Sequence, residues 1–196
     1  MSSTPNETGP DLATDAELQK SRVNQMTPHN ATINIVDYDP NWPRLFAREA
    51  DRIRLVLGDT AVRIEHAGST SVPGLPAKPI IDMVLVVPDS TDEPAYVDPL
   101  VAAGYRLTVR EPDWFEHRLL KGPDTNINLH TFSVGTPEIE RMLRFRDWLR
   151  ANDTDRDHYA DTKRALAARV WRHVQHYADA KTAVVQEIMD RADATA

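Results

Sequence analysis

The sequence has no cysteine, which excludes a disulfide framework, a thiolate zinc site, a cysteine nucleophile and thiol redox chemistry. Glycine is scarce, seven in 196 residues, so a short segment holding two of them has a special backbone shape to keep. Long apolar runs are missing. The longest, Pro79 to Val87, has about half the ~20 residues a membrane-crossing helix needs and is interrupted by Asp82. Positive charge is in deficit, with 23 Lys and Arg against 30 Asp and Glu for a net charge of −7. Such a chain keeps itself soluble and is a poor general binder of nucleic acid or anionic membrane. The first 31 residues lack the apolar core and basic flank of a secretory signal. We therefore expect a soluble, cytoplasmic protein with no membrane partner. No basic stripe interleaved with aromatics is present to read nucleic acid.

What remains is the composition of one ordinary domain. Residues 1–31 are rich in Ser, Thr, Asn, Pro and Asp and read as a disordered or weakly ordered tail; residues 32–196 read as a single domain. Within it, Ile33–Val36 reads as a short strand, and the stripe Trp42, Leu45, Phe46, Ile53, Val56, Leu57 predicts a helix ended by Gly58. Ala61–His66 reads as a strand. Ile80–Val87, apolar on both faces, reads as a central buried one. A helix is expected over Thr91–Ala103, then strands over Tyr105–Val109, Trp114–Lys121 and Asn126–Val134, the last two joined by the turn Gly122-Pro123-Asp124. Helices from Pro137, over Asp155–Gln175 and over Ala180–Ala192 complete an α/β (α+β) mixed-sheet domain with a helical C-terminal flank. Residues 137–181 carry a net charge of +2 in this acidic chain.

The chemistry concentrates in one loop and the strand after it. Asp82 is a carboxylate in an apolar strand, costly to bury unless it is hydrogen-bonded, paired or bound to a metal. The preceding loop, Gly68-Ser69-Thr70-Ser71-Val72-Pro73-Gly74-Leu75-Pro76-Ala77-Lys78-Pro79, combines Gly and Pro. It offers backbone N–H groups and three hydroxyls suited to phosphate oxygens, with Lys78 as a cation at the same edge. A P-loop requires lysine after its second glycine, and here Leu75 follows Gly74; neither G-x-G-x-x-G nor H-E-x-x-H occurs. In Ile127-Asn128-Leu129-His130, alternation puts Asn128 and His130 together on one polar face, suggesting a cleft in which His130 acts as ligand or acid–base group. His66 borders the loop as a brace or a ligand. Glu116 and Arg118 read as a cross-strand ion pair, Arg118 otherwise as a phosphate cation. His173 and His176 read as exposed helix residues.

The stretch Glu65-His66-Ala67-Gly68-Ser69-Thr70-Ser71-Val72-Pro73-Gly74-Leu75-Pro76-Ala77-Lys78-Pro79-Ile80-Ile81-Asp82 closely resembles the signature of the GrpB family. So do Tyr38-Asp39-Pro40-Asn41-Trp42-Pro43, Leu129-His130, Phe145-Arg146-Asp147-Trp148-Leu149-Arg150 and two copies of Tyr-Ala-Asp-x-Lys ending at Lys163 and Lys181. The resemblance implies a mixed sheet of the nucleotidyltransferase type. It makes Gly68 and Ser69 the triphosphate-binding turn, Asp82 the first carboxylate for Mg²⁺ or Mn²⁺, and Arg146, Lys163 and Lys181 a cationic wall over the phosphates. Val84 stands where such enzymes place a second carboxylate, and Asn128 and His130 where they place a third. A single metal on Asp82 and His130, joined by Glu116 or His66, is the form this chain would allow. The implied function is binding of a nucleoside triphosphate with a divalent metal, with Asp82 and His130 catalysing nucleotidyl transfer to a small-molecule or protein hydroxyl. The alternative is a non-catalytic module that binds a nucleotide or another small anion and has lost the second carboxylate.

Overall fold

The computed structural model describes residues 12–195. Five strands, β1 (Arg63–Ala67), β2 (Ile81–Val87), β3 (Arg106–Glu111), β4 (His117–Lys121) and β5 (Ile127–Ser133), form one sheet in the order β1-β2-β5-β4-β3. Only β2 and β5 run parallel; the other three pairings are antiparallel. The apolar run around Asp82 thus lies inside the sheet, between β1 and β5, as its lack of a polar face requires.

Strand alternation divides the side chains between two layers. Ile81, Met83, Leu85, Val87, Leu120, Ile127 and Leu129 pack on helices α2 (Trp42–Leu57) and α3 (Glu93–Ala102) in the main core. On the opposite face, Val84, Val86 and Phe132 are covered by Ile139 and Leu143 of α4 (Pro137–Ala151). Helices α5 (Asp153–Ala167) and α7 (Thr182–Ala194) join α4 around Val72 and Leu75, so the helical flank clamps the loop between β1 and β2. The remaining part of that polar face, toward the start of β2, is left open.

Several elements differ from expectation. Ile33–Val36 is not a strand; its Val36 makes one isolated bridge to Ala77. Strand β4 starts at His117, because Phe115 and Glu116 adopt φ of 55° and 51°, left-handed values that no strand accommodates. The long helix expected to Gln175 ends at Ala167, and a separate α6 (Val174–Asp179) follows. One short helix lies within the expected tail: α1 (Asp15–Lys20) begins with a capping box between Thr14 and Glu17. The Asp15 carboxylate accepts hydrogen bonds from Arg172 and from His173, the latter at 2.8 Å, and the carbonyl of Ala13 lies 2.8 Å from His176 Nε2. His173 and His176 are therefore buried holdfasts, not exposed helix residues. Residues 1–11 of the expected tail lie outside the described residues.

Candidate functional site

The open part of the polar face is the floor of a cavity of about 900 Å³, roofed by α1 on one side and by α5 and α6 on the other. Asp82 and Asn128 are register partners on the parallel pair β2 and β5, and His130 lies two residues further on the same face. Asn128 Nδ2 donates to Asp82 Oδ1 at 2.7 Å, and Lys121 Nζ donates to Asn128 Oδ1. His130 Nε2 stands 3.9 Å from Asp82 Oδ1. Burial alone would raise the Asp82 carboxyl, but His130, Asn128 and Lys78 outweigh it and hold the group below its ordinary value.

The wall above Asp82 is cationic. Lys78, Lys121, Lys163 and Lys181 all line the cavity, and among the described residues none has a carboxylate within ion-pair distance. Lys163, 2% exposed, donates to Ser69 Oγ at 2.9 Å and to the carbonyl of Pro76. Its ammonium lies 4.8 Å from the Tyr159 ring centre, while Lys78 and Lys181 share the Tyr177 ring at 5.5 and 4.8 Å. Each repeat lysine thus packs on its own tyrosine and still faces the cavity. Burial pushes Lys163 down to about 6 and lowers Lys78, Lys121 and Lys181 as well, with Asp82 opposing the shift at all four.

The loop supplies the rest. Gly68 has φ 62° and ψ −171°, which puts its backbone directly against the Asp82 carboxylate. Ser69 and Thr70 line the cavity. His66 braces the loop: its Nε2 lies 3.0 Å from Thr70 Oγ1 and its ring stacks on Phe46 at 4.8 Å. Burial pushes His66 down to about 4.

Of the expected site residues, Gly68, Ser69, Thr70, Lys78, Asp82, His130, Lys163 and Lys181 come together here. Three do not. Ser71 is buried beneath the loop, its hydroxyl donating to Gly68 O and its carbonyl accepting from Arg150. Arg118 alternates with His117 and Leu119, so it points through the sheet to the α3 side, where it donates to Glu93 at 2.7 Å and to Glu116 at 3.3 Å. Arg146 lies outside the cavity, bound to Glu65 at 2.9 Å and Asp147 at 2.7 Å. Lys121, Glu111 and His117 belong to the site and were not expected. Strand parity carried back across the Gly122–Pro123–Asp124 turn would have placed Lys121 opposite Asn128.

The side chains around Asp82 do not match the expected Mg²⁺ or Mn²⁺ site. Among the described residues no group of three His, Asp or Glu side chains stands close enough to hold a metal ion. Asp82 and His130 provide two donors. Glu116 pairs with Arg118 and His66 with Thr70, and Val84 is buried under α4. Lys78, Lys121, Lys163 and Lys181 crowd the Asp82 end of the cavity and disfavour a free dication there. These residues do not form a resident metal site.

Among the described residues no helix is long and apolar enough to cross a membrane. Comparison with known proteins agrees with the signature in the loop. The model of the GrpB protein family matches residues 32–191. A UPF0157 protein of Halalkalibacterium halodurans is 66% identical over 182 residues, 93% of each chain. The crystal structure of conserved protein GrpB from Enterococcus faecalis superposes with a TM-score of 0.70 at 31% identity, covering 81% of this chain and 96% of that one. Cid1 poly(U) polymerase bound to MgATP matches at a TM-score of 0.44 and 14% identity, over 66% of this chain and 45% of that one. With its loop signature, sheet and helical flank all accounted for, the chain belongs to the GrpB family.

Proposed function

We propose that the cavity binds the phosphates of a nucleoside triphosphate or a comparably charged phosphorylated compound. The observation that carries this reading is the cluster of four half-buried or buried lysines around Asp82, beside the Ser69 hydroxyl, in a cavity whose lining also carries Arg22 and the carboxylates of Glu17, Glu111 and Asp179. Such cations are costly to desolvate, and a polyanionic ligand recovers that cost. Ser69 and Lys163 form one gripping point, Lys78 and Lys181 a second on either side of Tyr177. A divalent ion at Asp82 and His130 would arrive with the phosphates that chelate it.

A second reading, nucleotidyl transfer, is favoured by the side-by-side placement of Asp82 and His130, 3.9 Å apart on one face, where an acceptor oxygen seated beside the pair can reach both. In that reaction the acceptor O–H proton passes to His130, its oxygen bonds to the α-phosphorus, and the bond to the β-phosphate oxygen breaks to release pyrophosphate.

Calorimetric titration with ATP, GTP, CTP and UTP, in EDTA and in Mg²⁺ or Mn²⁺, tests the binding. We expect binding in EDTA, weakened about tenfold or more in Lys163→Met, equivalent to ~1.4 kcal/mol. Asp82→Asn removes the carboxylate that acts on all four lysines and should tighten metal-free binding. Binding that requires the metal and disappears in Asp82→Asn would replace direct lysine contact with a metal bridge. No binding of any triphosphate would overturn the reading.

A further inference from the structure

The cavity has two unlike ends. At one, Asn128 on β5 sits beside Asp82 and accepts from Lys121. The same face of β5 continues through His130 to Phe132, four residues and ~13 Å further along an extended strand. There the surroundings turn aromatic. The Trp114 ring stands nearly perpendicular to His117 at 4.9 Å and to Phe132 at 5.6 Å, and those two rings stack on each other at 4.8 Å. Met142 of α4 packs on the apolar cluster that contains Phe132 and also lines the cavity.

Trp114 differs from the rings it packs on. His117 and Phe132 are buried, whereas Trp114 is 40% exposed. Of the two exposed rings in this turn, Trp114 lines the cavity and Phe115 does not. The backbone of Trp114 is fixed at both ends: its N–H donates to Glu111 O at 3.2 Å, and its carbonyl accepts from His117 N–H at 3.1 Å. Between Trp114 and His117, Phe115 and Glu116 hold φ of 55° and 51°, an unfavourable backbone for both residue types. A strained turn thus fixes a large apolar ring where it forgoes much of the gain of burial. Neither reading of the cavity so far uses it.

We propose that Trp114 is the stacking platform for a planar aromatic group of the bound compound, whose phosphates the lysines hold at the other end. The phosphate end of this statement rests on the proposed function. The ligand class is thereby narrowed from any small polyanion to a phosphorylated compound bearing a planar ring system, as a nucleotide does. A sugar and a phosphate chain separate the base of a nucleoside triphosphate from its last phosphate, a span comparable to the ~13 Å between Asn128 and Phe132. Every base has a π-face to lay on an indole, so stacking is tolerant of base identity. Trp114 therefore separates nucleotides from polyphosphates and sugar phosphates more than it separates one base from another.

The test is calorimetric titration of the full chain with ATP and with inorganic tripolyphosphate, which has no ring, each in EDTA and in Mg²⁺. Trp114→Leu keeps an apolar side chain against His117 and Phe132 but removes the ring; it should weaken ATP about tenfold and leave tripolyphosphate within twofold. Trp114→Phe should keep most of the ATP affinity. The wild-type protein gives a reading that needs no variant to fold. Its Trp114 indole N–H signal, assigned by NMR through contacts with the His117 and Phe132 rings, should move on addition of ATP and stay in place with tripolyphosphate. ATP that binds yet leaves this signal unmoved overturns the platform. So does ATP affinity unchanged in folded Trp114→Leu, and so does an equal loss for ATP and tripolyphosphate, which would make Trp114 a part of the wall only. In each of those outcomes the lysine site stands. If neither compound binds the wild-type protein, the phosphate reading fails and takes this inference with it.

Discussion

Gly68 follows Ala67, the β1 register partner of Asp82, and its contact with the Asp82 carboxylate is the tightest constraint in the site. A Cβ at Gly68 would overlap the Asp82 carboxylate, and its φ of 62° with ψ of −171° is a region open essentially to glycine alone. Gly68→Ala should therefore lower stability by ~3 kcal/mol or more and push the Asp82 side chain out of place. Chemical denaturation measures the first effect, and triphosphate titration of any folded fraction the second. A fully stable Gly68→Ala protein would mean that the turn relaxes freely and that the contact is incidental. Both residues were legible in the sequence, because an acid in an apolar strand after a Gly-Ser turn has few inexpensive explanations. Glu111 and His117 were not. They reach the cavity only through the pairing of β3 and β4 at the far side of β5, and residue type does not encode that.

At the scale of elements, strand parity decides who reaches the cavity. On β4, His117 and Lys121 face it while Arg118 reaches through to Glu93 at the start of α3. Arg118→Met should cost stability, on the order of 1–3 kcal/mol for a buried charge-assisted contact, and leave triphosphate affinity unchanged. A fall in affinity without a fall in melting temperature would return Arg118 to the site. The strands were readable because β2 and β5 carry unambiguous apolar alternation. The start of β4 was not, since consecutive left-handed residues at Phe115 and Glu116 are a tertiary outcome with no glycine to announce them. Helix α1, which Leu12, Leu18 and Val23 could have supported, lost to a disordered tail for another reason. Its capping signature, Thr14 to Glu17, was present, but its partners Arg172, His173 and His176 lie some 160 residues away. Because α1 roofs the cavity, Asp15→Ala should loosen it: amide exchange across residues 13–22 should quicken while the strands keep their protection. Unchanged exchange would show that Asp15 is not what holds the roof.

For the whole molecule, the notable fact is where the lysines go: a chain of net charge −7 gathers four of them around Asp82 in one cavity. Composition alone pointed away from anions, and it did so because it averages over the surface while the fold gathers Lys78, Lys121, Lys163 and Lys181 from four separate segments. The two Tyr-Ala-Asp-x-Lys repeats gave half of that cluster away. Enclosure also sets how binding depends on pH. Lys163, with a value of about 6 in the free protein, is mostly neutral at pH 7.5, whereas in an unfolded chain it would be charged. Between about 6 and 10.5 the unfolded chain binds more protons at this residue, so its contribution to folding stability rises with pH and is most unfavourable in acid. A phosphate beside Lys163 restores the charge, so binding draws in a proton. Apparent triphosphate affinity should then weaken as pH rises from 6 to 8, by no more than about tenfold per unit for a single coupled proton. Calorimetry in buffers of differing ionisation heat should register uptake of part of one proton at pH 7.5, and Lys163→Met should bind more weakly with that uptake gone. If wild-type binding releases or takes up no proton, Lys163 is already charged in the empty cavity. The Ser69 and Pro76 contacts would then suffice to keep it so, and the lysines would be a standing cation site rather than one completed by its ligand.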